Sequence, residues 1–250
     1  MNDTSVSIIT VTLNSSKTIR DTINSLLNQN YKNVEFIIID GGSTDGTIEL
    51  IRSFGKKVSI FKSEPDKGIY DAINKGIKYA TGEIIGTLNS DDVFYDDKVI
   101  EKVVRTFDDP EIDAVYGDIV FVSPNAPNKT IRYYSSKHFN PGRFRYGFMP
   151  AHPSFYVRRE LFDNFGYYRT DFKIAADFEL LVRFINVNRI KCKFIEMPFV
   201  RMRTGGVSTK SWKSNYLLNS EILRACRENG IKTNYLKIYS KYLLKIFEFF

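Results

Sequence analysis

Over the first ninety residues, β-branched runs alternate with segments of helical periodicity, and this alternation limits the folds open to the chain. Residues 6–13 form a strand-like run, after which Ile19, Ile23, Leu26 and Leu27 recur at helical spacing behind the expected caps Ser15 and Ser16. The pattern repeats with a strand at 34–39, a tight polar turn at 41–46, a short helix at 47–54 and a strand at 58–61. Ile69, Ala72, Ile73, Gly76, Ile77 and Ala80 then make one apolar helix face before a fourth strand at 83–88. Strands alternating with helices over short links predict an α/β fold, a mostly parallel sheet covered on both faces.

Beyond Asp97 a helix to Phe107 and a strand at 114–122 continue the theme, but from Lys129 the regularity fails. Pro141, Gly142 and Pro150 punctuate a loop-rich, aromatic stretch. A helix is expected at 175–186, a strand at 191–200, a turn at Gly205-Gly206 and helical segments from Trp212. The implied organisation is a domain over 1–210, regular over 1–122 and less so over 123–210, followed by a basic helical tail at 211–250.

At 250 residues and 43% apolar, the chain can bury a full core. Its two cysteines, Cys192 and Cys226, have neither zinc-site nor disulfide-framework spacing and imply a reducing compartment. With no leader-like N-terminus and no run of about 18 apolar residues, the expected location is the cytoplasm. Residues 201–250 hold ten Lys or Arg against three Glu, so the net charge of +7 resides there and the first 200 residues are balanced. A nucleic-acid partner would need a basic face on the body of the fold, and none is implied. In the tail, Lys237, Lys241 and Lys245 recur every four residues, while Leu236, Tyr239, Leu243, Ile246, Phe247 and Phe250 supply apolar surface elsewhere around the helix. Two readings stand: a helix lying on an anionic membrane surface, or a terminal helix packed on its own domain or a second subunit.

In open parallel sheets, ligands bind beyond the carboxyl ends of the strands. Asn14 falls at that edge after the first strand, Asp40 and the turn 41–46 after the second, and Asn89-Ser90-Asp91-Asp92 after the fourth. No Gly-x-Gly-x-x-Gly follows the first strand and no Gly-x-x-x-x-Gly-Lys occurs, so dinucleotide and P-loop schemes are unsupported. Carboxylates accept a phosphate-bearing ligand only with a divalent cation between them, and oxygen ligands such as Asp91 suit Mg²⁺ or Mn²⁺.

The runs Val-Ser-Ile-Ile-Thr-Val from Val6 with Asn14, Asp-Gly-Gly-Ser-Thr-Asp-Gly-Thr from Asp40, Glu-Pro-Asp-Lys-Gly-Ile-Tyr-Asp-Ala-Ile-Asn-Lys-Gly from Glu64, and Leu-Asn-Ser-Asp-Asp from Leu88 resemble a family 2 glycosyltransferase of GT-A fold. The similarity spans about 5–208 and is greatest to bacterial enzymes of O-antigen, capsule and colanic-acid assembly. The resemblance implies a nucleotide-sugar donor, a UDP-sugar, lying against Thr10, Asn14, Asp40, Asp66, Lys67, Asn74, Asn89 and Ser90. Asp40 would receive a hydrogen bond from the uracil ring, whereas Asp45 reads as a turn residue. The family's Asp-x-Asp falls on Asn89-Ser90-Asp91, with Asn at the first position, so Asp91 would ligate the Mn²⁺ or Mg²⁺ that bridges the donor diphosphate.

The family's catalytic carboxylate matches Asp177, preceded here by Ala176. Asp177 would take the acceptor's proton, and its place at a helix start also suits a capping residue. Glu179, two residues on, faces away, so a single base implies an inverting displacement. His152 lies in the segment that similar enzymes place near the acceptor, and a structural histidine is the alternative. Arg201, Arg203 and Ser208 are candidates for the diphosphate or the acceptor, against a reading as a solvated charge cluster. The implied acceptor is a glycan, on a polyprenyl diphosphate at the inner membrane face or soluble. A non-catalytic nucleotide-sugar-binding scaffold and a sugar nucleotidyltransferase are the rival functions; the latter would need a basic Gly-rich loop where Asn14-Ser15-Ser16 stands.

Overall fold

The computed structural model describes residues 4–124, 126–204 and 212–245. Its strands are β1 (Val6–Thr12), β2 (Val34–Asp40), β3 (Ile60–Ser63), β4 (Ile84–Thr87), β5 (Val93–Phe94), β6 (Ala114–Ser123), β7 (Ala126–Tyr134), β8 (Tyr156–Arg158) and β9 (Cys192–Arg203). The helices are α1 (Ile19–Leu27), α2 (Thr47–Arg52), α3 (Ile69–Tyr79), α4 (Val99–Phe107), α5 (Glu160–Phe165), α6 (Ala176–Leu181), α7 (Trp212–Glu228) and α8 (Tyr235–Lys245). One sheet runs β3-β2-β1-β4-β8-β6-β9-β5, with β7 paired to β6.

The first four strands are parallel, as their helical crossovers require. Side-chain alternation divides the core between the two faces of the sheet. Ile9, Ile37 and Ile39 pack under α3, α5, α6 and α7, while Ile8, Phe36 and Ile38 pack over α1 and α4. Gly76 lets α3 approach closely, because a Cβ there would lie 2.4 Å from Ile9 Cγ2.

The second half departs from the mostly parallel expectation. β8 enters antiparallel between β4 and β6, β7 and β5 pair antiparallel with β6 and β9, and only β6 and β9 run parallel. β7 was not legible in the sequence because a proline and polar residues interrupt it, which an edge strand tolerates. Ser15 and Ser16 do not cap α1, which starts at Ile19 after a turn closed on the Ser15 carbonyl. The helix expected at 175–186 is α6 followed by a π-turn at Val182–Val187.

The C-terminal helices share the main core instead of standing apart from 1–210. Ile222, Leu223, Ala225, Cys226 and Ile238 are buried in the cluster that also holds Phe144 and Phe178. Lys241, one of the lysines that recur every four residues, is 3% exposed, with its ammonium beside Gly147. Packing on the domain therefore describes the inner face of α8. Its outer face carries Tyr235, Leu236 and Tyr239, all exposed. Leu243, Lys245, Ile246, Phe247 and Phe250 of the predicted stripe, like the Gly205-Gly206 turn, lie outside the described side chains. No described helix is long and apolar enough to cross a membrane. Both cysteines are free, and burial pushes both thiols up to about 12.

Candidate active site

Three loops meet beyond the carboxyl ends of β1, β2 and β4, tied to one another by short polar side chains. Asn14 adopts a left-handed φ of 52°, its amide N–H donates to Ser43 Oγ (2.7 Å), and its Oδ1 accepts from Thr44 N–H (2.9 Å). Ser15 Oγ lies 2.9 Å from Ser90 Oγ, linking the β1 and β4 loops. Asp45 accepts from the Thr47 amide (3.1 Å) and the Ser16 amide (3.0 Å), the turn role expected of it.

Asp40 stands at the end of β2. It is fully buried, and its Oδ2 accepts from Gly42 N–H (3.1 Å), Ser43 N–H (3.0 Å) and Ser63 Oγ (2.7 Å), while Oδ1 accepts from Ser43 Oγ. Three of these bonds come from its own turn and the fourth from Ser63 of β3, so the carboxylate holds the shape of the loop. Asp66, in the loop after β3, lies against the same turn. Its Oδ2 stands 2.5 Å from where a Cβ on Gly41 would be, so the side chain absent at Gly41 is replaced in space by Asp66. Asp66 is half-buried and Lys67 exposed beside it, its amide N–H held by Asp71 Oδ2 (3.1 Å).

Thr10 and Asn74 are likewise turned inward. Thr10 is fully buried and its hydroxyl donates to the Leu88 carbonyl (2.7 Å), joining β1 to the start of the β4 loop. Asn74 makes a two-way clamp on Tyr168, donating to its carbonyl (2.7 Å) and accepting from its amide (3.0 Å). Arg203 pairs with Asp21 (2.6 Å), and Arg201 lies over the Tyr95 ring at 4.9 Å, so both guanidinium groups are engaged along the β9 edge. Ser208 lies outside the described residues.

In the β4 loop the two aspartates part ways. Asp92 is buried, accepting from Asn89 Nδ2 (2.9 Å) and Arg203 N–H (3.2 Å), and burial, then the neighbouring Asp91 charge, pushes its carboxyl up to about 8. Asn89 thus spends its amide on Asp92. Asp91 is half-buried and makes no hydrogen bond or ion pair among the described residues. No cluster of three or more His, Cys, Asp or Glu converges there among the described residues, so the donor set cannot cage a cation alone. One unengaged carboxylate does fit a Mg²⁺ or Mn²⁺ whose remaining ligands come from substrate phosphates and water.

Asp177 and His152, singled out separately in the sequence, are brought together. His152 Nδ1 lies 3.1 Å from Asp177 Oδ2, with side-chain exposures of 38% and 13%. The β4–β8 register explains how. Ile84 pairs with Arg158 and Ile85 with Val157, so the chain before β8 runs antiparallel alongside the end of β4 and delivers the turn His152–Ser154 to the Asn89 loop. Asp177 Oδ1 accepts from Phe178 N–H at 2.8 Å. The Tyr70 hydroxyl donates to the Ile174 carbonyl (2.5 Å) and lies 3.5 Å from Asp177 Oδ1. Burial, reinforced by the Asp177 charge, pushes the Tyr70 phenol far above its usual range, so it remains a donor.

Glu179 is buried and turned to Arg183, at 2.9 and 3.0 Å, as its offset from Asp177 implies. Arg183 in turn donates to the carbonyls of Phe165, Gly166 and Tyr167, fixing the approach to Tyr168, which stacks on Tyr70 at 5.8 Å. Tyr70 and Ser15 were overlooked in the sequence, although Tyr70 stands within the Glu64 motif and marks the α3 end nearest Asp177.

The glycosyl transferase family 2 model matches residues 7–166. A PGL/p-HBAD biosynthesis glycosyltransferase of Mycobacterium bovis is 30% identical over 181 residues, covering 71% of this chain and 68% of the relative. An uncharacterized glycosyltransferase of Rickettsia typhi is 26% identical over 87% of this chain and 70% of its own. Among solved structures, Staphylococcus aureus TarS 1-349 in complex with UDP-GlcNAc superposes with TM-score 0.70 at 19% identity, over 88% of this chain and 66% of that one. Mannosyltransferase PcManGT from Pyrobaculum calidifontis, in complex with GDP-Man and Mn²⁺, gives TM-score 0.63 at 19% identity, over 88% and 64%. The chain spans 40% of the longer TarS chain and about two thirds of these shorter ones. The structures share the GT-A fold, and the matched model and relatives place the chain within glycosyl transferase family 2.

Proposed function

We propose that the chain transfers a sugar from a UDP-sugar to a glycan hydroxyl with inversion, Asp177 acting as general base. The observation that carries this reading is the His152–Asp177 pair, a partly exposed carboxylate oriented by an imidazole and by Tyr70. Asp177 would receive the acceptor's proton as the acceptor oxygen attacks the anomeric carbon, and His152 and the Phe178 amide hold the carboxylate in place as the charge changes. In this reading the donor would rest against Asp66, Lys67, Asn14 and Ser90, in the loops that follow β3, β1 and β4, with Asn89 tied back to Asp92. Asp91 would hold Mn²⁺ or Mg²⁺ jointly with the donor diphosphate, and that cation, when bound, offsets charge on the leaving group.

The acceptor in this reading is a glycan on a polyprenyl diphosphate at an anionic membrane surface, which the protein meets peripherally. Support comes from the exposed Tyr216, Tyr235, Leu236 and Tyr239 of α7 and α8, in a segment that also exposes Lys213, Arg227 and Lys232. Aromatic and aliphatic side chains among cations suit the interface between headgroups and acyl chains.

Calorimetric titration with UDP, GDP and ADP, each with Mn²⁺ and with EDTA, tests the donor class. Metal-dependent binding of UDP alone is expected. Absence of nucleotide binding would move the non-catalytic scaffold to the front.

A further inference from the structure

α6 begins without a local cap. Ala175 offers no side-chain acceptor, and the three amides of the segment leading into the helix, 173–175, are bonded from elsewhere in the chain. They find one in the C-terminal region. Glu221 of α7, 7% exposed, accepts from Lys173 N–H (2.8 Å) with Oε1 and from Ile174 and Ala175 N–H (both 2.9 Å) with Oε2. Asp177 follows Ala175 by two residues, and the Ile174 carbonyl is the acceptor for Tyr70.

The grip extends along one face of α7, since positions 221, 224 and 228 align at helical spacing. Arg224 pairs with the Asp171 carboxylate, donates to the Asp171 carbonyl (3.3 Å) and lies over the Phe172 ring at 4.5 Å. Glu228 pairs with Arg169 (2.5 Å) and Arg224 (2.8 Å), and Arg169 covers Phe172 at 4.8 Å. The segment 169–175 is thus held almost continuously by α7. This helix lies outside the matched residues 7–166 and, by sequence, reads only as a tail.

We propose that Glu221 is a positioning residue for Asp177, and that α7 is in this way an integral part of the active site. The proposal rests on the reading of Asp177 as base. A buried carboxylate bonded to three successive amides fixes where α6 starts, and hence the azimuth at which Asp177 meets His152 and the acceptor. Removing its charge leaves the fold's other α7 contacts in place but lets the start of α6 shift. Reactions that depend on orientation lose up to about 100-fold from displacements near 1 Å.

The test uses the full chain and the nearly isosteric Glu221→Gln, with Arg224→Gln as a milder, surface variant. Glu221→Gln should lower kcat by about 10- to 100-fold while leaving UDP titrations and donor KM unchanged, and Arg224→Gln should lower kcat less, in the same sense. Amide hydrogen exchange should show loss of protection confined to 173–177. In an Asp177→Asn background, Glu221→Gln should have no further effect on residual turnover, because it acts through that carboxylate. Wild-type kcat in Glu221→Gln with protection at 173–177 lost would overturn the proposal, as would an equal further loss in the Asp177→Asn background. Full activity in Asp177→Asn alone would instead remove the base assignment, whatever Glu221 does.

Discussion

His152 Nδ1 lies 3.1 Å from Asp177 Oδ2, joining the turn before β8 to the first turn of α6. With Nδ1–H donating to the carboxylate, the imidazole orients Asp177 and offers its other nitrogen outward. Asp177→Asn is expected to lower transfer by about 10²- to 10⁴-fold, the range of general-base catalysis, with UDP affinity unchanged. His152→Ala should cost roughly 10-fold in kcat, with the two effects less than additive in the double variant. Wild-type turnover in Asp177→Asn would refute the assignment.

Asp91 is the unengaged carboxylate of the β4 loop, whereas Asp92 beside it is buried and bonded. Asp91→Asn should abolish the difference between UDP titrations in Mn²⁺ and in EDTA without lowering thermal stability. Asp92→Ala should do the reverse in emphasis, leaving Asn89 Nδ2 and Arg203 N–H without their acceptor, loosening the loop and lowering the melting temperature. Equal metal response in wild type and Asp91→Asn would remove the metal assignment.

Asp40 accepts two amides and two hydroxyls in full burial. Asp40→Ala is therefore expected to destabilise the fold by more than about 2 kcal/mol, since it orphans buried donors. Denaturant titration measures this. A variant of unchanged stability that has lost UDP affinity would instead support direct contact of Asp40 with the base.

Acid should loosen α7. Hydrogen bonds from Arg169 hold Asp171 below the usual carboxylate range, and those from Arg224 do the same for Glu228. Depressed folded-state values contribute stability above the unfolded values, near pH 4, that is lost as pH falls through the folded ones. Protection of α7 amides should be level from pH 7 to about 5 and decline below about 4, less steeply in Asp171→Asn. Because these groups are well exposed, 1 M salt should shrink the effect.

Leu236 is 83% exposed on the outer face of α8, opposite the buried Ile238 and Lys241. Leu236→Glu should weaken sedimentation with anionic liposomes several-fold and leave the fold intact, whereas deleting the whole helix would strip core contacts as well. Retained binding in Leu236→Glu and Tyr239→Glu would count against the membrane surface.

The Asp-Gly-Gly-Ser turn, the Asn89 loop and the α3 entry were legible because local chemistry marks them: period-two strands end, and polar turn residues follow. The crossover strands of the first half were legible for the same reason. What the sequence by itself determined is therefore the parallel half-sheet, the edge where the polar loops gather and the identity of the carboxylates there. Tertiary structure decided which of those carboxylates are bonded within the fold. Asp40, Thr10 and Asn74, chosen in the sequence for ligand contact, are bonded to Ser63, Leu88 and Tyr168, partners brought near only when strands and helices pack. It also decided that His152 meets Asp177 and that Glu221 holds the start of α6, because the antiparallel entry of β8 and the docking of α7 join residues far apart in the chain. No local period encodes such pairings; they follow from burying polar groups that must each find a partner.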